Sequence, residues 1–241
     1  MTGVTVTHFG DDRAVIGRRG WPGRGPVALR TVEITTEAQL VALIGVPNDV
    51  VVSKIADRLN SLTRRYIERS PLLCLATSAP DGSCDVSPRG DPPGFVRILD
   101  DRTLLIPERP GNRLADSLRN IIANPQVGIL FIVPGVGETF RVNGRAVLFD
   151  DPELLGPSSV EGKPPRLGIR VSIQEAYTQC PKAFLRSRLW DPASHQSSAD
   201  FPSGGEILRE VRRTASVAQE FDAATYDAER AERYRRREGF Y

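Results

Sequence analysis

Apolar positions follow a helical spacing before residue 70 and an alternating spacing after it. Thr35 or Thr36 is placed to cap a short helix over residues 37–44. Asn48 is placed to cap a longer helix, which ends at Ser70-Pro71. The change of period from residue 72 onwards predicts that a β core begins there. The apolar stripe predicted for the longer helix is Val51, Ile55, Leu59, Leu62 and Tyr66.

Short apolar segments separated by turn residues fill the chain from residue 72 to residue 173. Residues 79–82 (APDG) are typical of a hairpin turn. One helix is predicted among these segments, with Asn112 as its N-cap and Pro125 just beyond its end. Antiparallel strands with close turns and one inserted helix predict a small β-barrel. The predicted strands are residues 72–78, 84–88, 94–99, 103–106, 127–133, 138–148 and 169–173.

Three parts of the chain are predicted from this organisation. Residues 1–47 form an arm rich in glycine and arginine with the short helix, residues 48–190 form the leading helix and barrel, and residues 191–241 form a loop and a C-terminal helical extension. The loop 150–166 is predicted to be an excursion between strands, and Pro181 opens a further helix. The tail is predicted to be helical from Glu206, with the apolar stripe Ile207, Leu208, Val211, Ala215 and Ala218.

Composition excludes several classes of protein. The formal net charge of +2 over 241 residues gives no overall attraction to nucleic acid or to a membrane. Cys74, Cys84 and Cys180 have no CxxC spacing, which is typical of reduced thiols in the cytosol. The longest apolar run is too short to span a bilayer, and the N-terminus has no signal-peptide core. We therefore expect a soluble cytoplasmic protein that binds neither nucleic acid nor membrane.

Common metal and catalytic motifs are absent from the sequence. His8 and His195 lie in predicted loops away from any cysteine pattern, so no metal site is predicted. The motifs HExxH and GxSxG and a P-loop do not occur. The hairpin turn explains Asp81, and exposure to solvent is the simplest interpretation of Asp85.

Arginines are concentrated at the turn between residues 103–106 and the following helix. Arg109 and Arg113 flank a predicted helix start, where unpaired backbone N–H groups and the helix dipole favour an anion. Guanidinium forks are well suited to phosphate oxygens. This pattern predicts an anion site, and the alternative is a capped surface helix with solvated arginines.

A resemblance to the pyridoxamine 5′-phosphate oxidase-like flavoprotein family lies in two runs, SPLLCLATSAPDGSCDVSPRGDPPGFV and LLIPERPGNRLADSLRNIIANPQVGILFIVPGVGETFRVNGRAVL. They are most similar to a bacterial branch with an RPGNR turn and an ETxRVNG strand. The resemblance covers roughly residues 50–190. It implies a fold that is mainly β with α, a six- to seven-stranded antiparallel split β-barrel with flanking helices. It also implies a homodimer that holds FMN at the subunit interface.

The resemblance implies a set of cofactor-binding residues. The strand over residues 87–91 would contact the flavin, and residues 106–107 would line its isoalloxazine ring. Asn112 and Arg113 would hold the FMN phosphate, with Arg109 as an added candidate. The full predicted set is Ser87, Arg89, Gly90, Asp91, Ile106, Pro107, Arg109, Asn112, Arg113, Thr139, Lys182, Arg186 and Trp190.

Four members of this set come from later in the chain. Thr139 matches a position that in the family reaches the flavin from across the subunit interface. Lys182, Arg186 and Trp190 match a CxKAxxRSxLW run of the bacterial branch, and we expect them near the cofactor or the partner subunit.

The chain also departs from the well-characterised members of the family. It has no recognisable RxVLLK strand and no C-terminal arginine segment of the kind that closes over a substrate phosphate. The resemblance therefore predicts FMN binding and redox chemistry on an unidentified small molecule rather than oxidation of pyridoxamine phosphate, and it assigns no catalytic residue. The alternatives are a non-catalytic module that stores or senses a flavin or another tetrapyrrole-like or phosphate-bearing ligand on the same barrel, and use of a deazaflavin in place of FMN.

Overall fold

The computed structural model describes residues 33–241, so the arm predicted over residues 1–30 lies outside the described residues. The chain divides between Val46 and Pro47 into two units. In the first unit, helix α1 spans Glu37–Ile44, the predicted bounds. Thr36 and Gln39 form a capping box at its start, each side chain accepting a hydrogen bond from the other residue's backbone N–H. The predicted cap at Thr36 is confirmed.

The second unit begins with two short helices where the sequence predicts one long helix. Helix α2 spans Asp49–Ser53 and begins at the predicted cap, Asn48, and helix α3 spans Ser61–Arg69. Between them the backbone of Ala56 exchanges two hydrogen bonds with Ala176, with N···O distances of 3.1 and 2.7 Å. The prediction of one long helix is wrong, because this tertiary pairing outweighs the local helical spacing.

Seven antiparallel strands form the centre of the described chain. Their order in the sheet is β2-β1-β5-β6-β7-β4-β3, numbered along the chain, and the two edge strands do not pair with each other. The barrel is therefore open, and the predicted fold class of an antiparallel split barrel with flanking helices is confirmed. The strands are β1 (Leu72–Ser78), β2 (Cys84–Gly90), β3 (Arg97–Ile98), β4 (Thr103–Glu108), β5 (Gln126–Ile132), β6 (Thr139–Phe149) and β7 (Leu167–Gln179).

The interior of the barrel is apolar and is built from alternate residues of its strands. Along β1 and β5 every second residue is buried, as a strand with one face on a core requires. Phe131 and Phe140 are fully buried, with ring centroids 6.2 Å apart. A register shift next to Gly144 bends β6 over this core. A Cβ atom on Gly144 would lie 2.2 Å from the Ser172 carbonyl oxygen, so this position requires glycine.

Helices lie between and after the strands. Helix α4 (Asp116–Ala123) connects β4 to β5, α5 (Pro152–Leu155) lies in the loop before β7, and α6 (Lys182–Ser187) follows β7. The tail contains two helices, α7 (Gly204–Thr214) and α8 (Ala223–Arg235), so the prediction of a helical tail holds but its stripe is interrupted after residue 214. Of the helices in residues 33–241, none is long and apolar enough to cross a membrane.

Candidate ligand-binding site

A cavity of about 630 Å³ lies between β2, the end of β4, the turn 109–115 and the first turn of α4. Its volume is within the range of small-molecule sites, roughly 300–1,000 Å³. The lining combines apolar residues with three arginines and three carboxylates. The lining residues are Asp85, Ser87, Pro88, Arg89, Gly90, Phe95, Pro107, Glu108, Arg109, Pro110, Gly111, Asn112, Arg113, Leu114, Ala115, Asp116, Ser117 and Leu118.

A chain of hydrogen bonds crosses one wall of the cavity from a guanidinium to a carboxylate. Arg89 Nε donates to Ser87 Oγ at 3.3 Å, Ser87 Oγ lies 2.9 Å from Ser117 Oγ, and Ser117 Oγ donates to Asp85 Oδ2 at 2.5 Å. Each hydroxyl has one proton, so Ser117 uses its proton for Asp85 and accepts the proton of Ser87. The hydrogen bonds therefore all point from Arg89 towards Asp85, and together they hold these side chains in fixed orientations.

Asp85 is thus part of the cavity wall. The interpretation of this residue as solvent-exposed is wrong, because the alternation along β2 turns Asp85, Ser87 and Arg89 to the cavity side and leaves the residues between them exposed. Strand β2 has only these three half-buried positions, and all three carry polar side chains.

Two of the three cavity arginines already have carboxylate partners. Arg89 forms a salt bridge with Glu108, and each of the two side chains is 18% exposed. Arg109 Nε lies 2.7 Å from Asp91 Oδ2, and the Asp91 side chain is only 1% exposed. A second hydrogen bond runs from Arg109 Nη2 to the Ser158 carbonyl oxygen at 2.8 Å. These partners fix the two guanidinium groups and neutralise their charge.

Arg113 differs from the other two arginines, because it forms no salt bridge with any residue in the range 33–241. Its φ angle is 65°, in the left-handed region, and so is that of Ala115 at 59°. These two residues turn the chain sharply before the helix. Arg113 is consequently exposed at the cavity wall, where its charge is available to a ligand.

The start of α4 is displaced from its predicted position. Asn112 does not cap the helix: its Oδ1 accepts a hydrogen bond from the Leu114 N–H at 3.0 Å, within the turn. The helix begins at Asp116, and among the described residues no side chain caps it. The predicted cap is therefore wrong, because the left-handed residues before Asp116 prevent an earlier start. Residues 116–118 line the cavity, and their backbone N–H groups have no side-chain acceptor within residues 33–241.

The predicted cofactor-binding residues fall into two groups in the structure. One group lines the cavity and comprises Ser87, Arg89, Gly90, Pro107, Arg109, Asn112 and Arg113. The other group does not line it and comprises Asp91, Ile106, Thr139, Lys182, Arg186 and Trp190.

Members of the second group have other surroundings within the same chain. Ile106 and Thr139 are buried, 0% and 3% exposed. Lys182 and Arg186 are exposed on α6. Trp190 donates a hydrogen bond from Nε1 to the Val136 carbonyl oxygen at 2.9 Å.

Sequence reasoning missed Glu108, Ser117, Asp85 and Tyr241 as residues of this region. Glu108 directly precedes the arginine-rich turn, which was an available signal. Tyr241 had none, since it is 150 positions from Asp91, whose Oδ1 accepts its hydroxyl proton at 2.7 Å. This hydrogen bond to a carboxylate raises the pKa of the Tyr241 phenol, with burial adding to the effect. Among residues 33–241 there is no group of three side chains suited to hold a metal ion.

The fold and the cavity define the protein as a split β-barrel with a small-molecule-sized site beside strand β2. The sequence model of the family described as pyridoxamine 5′-phosphate oxidase matches residues 60–180, and the chain belongs to this family. No curated protein sequence matches the chain.

Solved structures to which part of the chain is similar include three with different names. HupZ from Group A Streptococcus is 16% identical, with 51% of this chain and 94% of HupZ covered and a TM-score of 0.43. General stress protein 26 from Bacillus anthracis is 16% identical, with 49% and 94% covered and a TM-score of 0.38. An FMN-binding protein from Syntrophomonas wolfei is 12% identical, with 48% and 88% covered and a TM-score of 0.37. Family membership rests on the matched sequence.

Proposed function

We propose that this protein is an FMN-binding flavoprotein that acts as an oxidoreductase on a small molecule. The observation that carries the proposal is that two features meet in one cavity of a member of this family. Within residues 33–241, one is an arginine without a carboxylate partner and the other is a helix start without a side-chain cap. Both features favour a phosphate group.

Within the proposed site, Arg113 and the backbone N–H groups of residues 116–118 bind the phosphate. Arg89 and Arg109 are held by their own carboxylates, so they act as fixed hydrogen-bond donors on the wall. Pro107 and Phe95 supply apolar surface to the same cavity, as a planar ring system requires. The residues present therefore fit a phosphorylated flavin in chemistry and in size.

FMN would itself supply the redox chemistry, by accepting and returning a hydride or electrons. The chain binds and orients it. Of the three cavity carboxylates, those of Asp85 and Glu108 are engaged by Ser117 and Arg89, so neither of these two is a free general base. This suits a reaction in which the protein supplies orientation and electrostatic stabilisation.

A homodimer, with FMN at the subunit interface, is part of the proposal. Lys182 and Arg186 are exposed on α6 outside the cavity of their own chain, where they are accessible to a second copy. The edge strand β2 also exposes Val86, at 65% of its surface, beside the cavity. Sedimentation of the purified protein at two concentrations tests this, and a monomer with bound FMN contradicts it.

A cytoplasmic location and the division into an arm, a barrel over residues 48–190 and a C-terminal extension complete the proposal. Cys74, Cys84 and Cys180 are free thiols, in keeping with a reducing compartment.

The deciding experiment is to release and identify the ligand that purifies with the protein, followed by titration of the emptied protein with FMN and riboflavin. We expect a yellow protein that releases FMN and binds riboflavin more weakly. A protein that binds neither flavin contradicts the proposal. Release of a deazaflavin would replace FMN as the assigned cofactor and leave the assigned phosphate site unchanged.

A non-catalytic flavin-binding module is the second candidate, favoured by the engagement of two of the three cavity carboxylates, Asp85 and Glu108, by protein donors. Addition of NADH or NADPH distinguishes the oxidoreductase from the non-catalytic module. Bleaching of the flavin absorbance followed by recovery in air supports the oxidoreductase, and unchanged absorbance supports the module.

A further inference from the structure

Tyr241 contacts the wall of the cavity although it follows the C-terminal helices. Its hydroxyl donates a hydrogen bond to Asp91 Oδ1 at 2.7 Å, and its ring centroid lies 5.1 Å from Arg109 Cζ. Asp91 therefore uses one oxygen for Tyr241 and the other for Arg109. The three side chains form one connected group, which we call the Tyr241 clasp.

The Tyr241 clasp restrains Arg109 from two directions. Asp91 and the Ser158 carbonyl oxygen accept hydrogen bonds in the plane of the guanidinium, while the Tyr241 ring covers its face. A guanidinium has five N–H donors, and these contacts use two of them. Within residues 33–241 the other three have no protein acceptor, and Arg109 lines the cavity.

The C-terminal segment that carries Tyr241 also contacts the loop before β7. Arg237 Nη2 lies 2.9 Å from Glu161 Oε1 in the loop before β7. The Arg237 guanidinium also lies 5.6 Å from the centroid of the Tyr241 ring. Arg237 thus links Tyr241 to the loop before β7 independently of Asp91.

We propose that Tyr241 is a positioning residue of the ligand site, which orients Arg109 through Asp91 so that the unused N–H groups of Arg109 bind the phosphate end of the ligand. This inference rests on the proposed function for the identity of the ligand. It gives the C-terminal extension a role in recognition of the phosphate.

The physical reason is the burial of Asp91, whose side chain is 1% exposed. Without the Tyr241 hydroxyl, one buried carboxylate oxygen loses its donor, and such a group is costly to leave unpaired. Asp91 then rotates to share its oxygens differently, and Arg109 loses its fixed orientation.

The test measures the dissociation constants of FMN and riboflavin for the full chain by flavin fluorescence. Tyr241→Phe keeps the ring and removes the hydroxyl, and we expect a loss of FMN affinity of about threefold to tenfold with riboflavin affinity unchanged. Asp91→Asn should weaken FMN binding as well, and the double variant should be no weaker than Asp91→Asn alone. Tyr234→Phe is the matched control, because in the described part of the chain the Tyr234 hydroxyl hydrogen-bonds only to Arg230 on its own helix, at 3.2 Å.

A second readout observes Arg109 directly, by nitrogen-15 NMR of arginine Nε–H groups in the flavin-free protein. We expect the Arg109 signal to be protected from solvent exchange in the wild type and in Tyr234→Phe, and to exchange rapidly in Tyr241→Phe. Unchanged FMN affinity and unchanged exchange in Tyr241→Phe overturn the inference while leaving the proposed function standing. Failure of the wild type to bind FMN overturns the proposed function, and the phosphate role of Arg109 with it. An equal loss of FMN and riboflavin affinity in Tyr241→Phe also overturns the inference, since it indicates a general loss of structure.

Discussion

Replacing Arg113 with alanine removes the cavity arginine that has no carboxylate partner among residues 33–241. The change isolates one interaction for two reasons. No salt bridge within the described chain is lost, so the flavin-free protein should keep its stability. Alanine also keeps a Cβ atom, so the cost of the left-handed backbone at φ 65° is unchanged.

The size of the effect follows from the exposure of the side chain. A hydrogen bond to a charged group contributes roughly 1.5–3 kcal/mol. Arg113 is exposed at the cavity wall, where solvent and salt screen its charge, so we expect the lower end of about 1.5 kcal/mol. That corresponds to about a tenfold increase in the dissociation constant of FMN.

Fluorescence titration with FMN and riboflavin, at two salt concentrations, measures this effect. Riboflavin has no phosphate, so its affinity should not change in Arg113→Ala, and the FMN deficit should shrink as salt rises. Arg119→Ala is the matched control, since Arg119 is exposed on α4 but does not line the cavity. Equal FMN affinity in Arg113→Ala and wild type would refute the phosphate assignment, and an equal loss for both flavins would refute the charge-based explanation.

Two further predictions concern stability. Hydrogen bonds from Arg58 and then Arg102 lower the pKa of Asp57 from its ordinary 3.8 to about 2. The ionised Asp57 therefore stabilises the fold above pH 3.8, and this contribution is lost as the pH falls through about 2. Asp57→Asn should accordingly be less stable than wild type near pH 7 and equal to it below pH 2 in denaturant unfolding, and a constant difference across this range would contradict the linkage. Gly144→Ala should lower the free energy of unfolding by about 2 kcal/mol or more, because the new Cβ would lie 2.2 Å from a backbone carbonyl oxygen of β7. Gly156→Ala, with no atom within 4 Å of its new Cβ, should leave the thermal midpoint nearly unchanged, and an equal loss in both variants would show that the close approach is not the cause.

The sequence by itself determined most of the local structure. Helix α1 and strand β1 have the predicted bounds, and the turn at residues 79–82 joins β1 to β2 as expected. These features depend on capping residues, alternation and turn chemistry, which act over a few positions. The concentration of arginines at the turn before α4 was also visible in the sequence.

Only the tertiary structure decided where the leading helix breaks and where α4 begins. The first depends on the pairing of Ala56 with Ala176, and the second on the left-handed conformation of Arg113 and Ala115. Local spacing favours helix at both places, and it carries no information about a partner strand 120 positions away or about the backbone angles of a turn.

The tertiary structure likewise decided which charged side chains of the cavity are paired with each other. The sequence shows the arginines but does not show that Arg89 is paired with Glu108 or that Asp91 joins Arg109 to Tyr241. Such pairs form between side chains that the fold brings together, and burial makes them strong enough to fix each guanidinium. The sequence therefore predicted an anion site at this turn, whereas the fold decided that Arg113 is the cavity arginine without a carboxylate partner among residues 33–241.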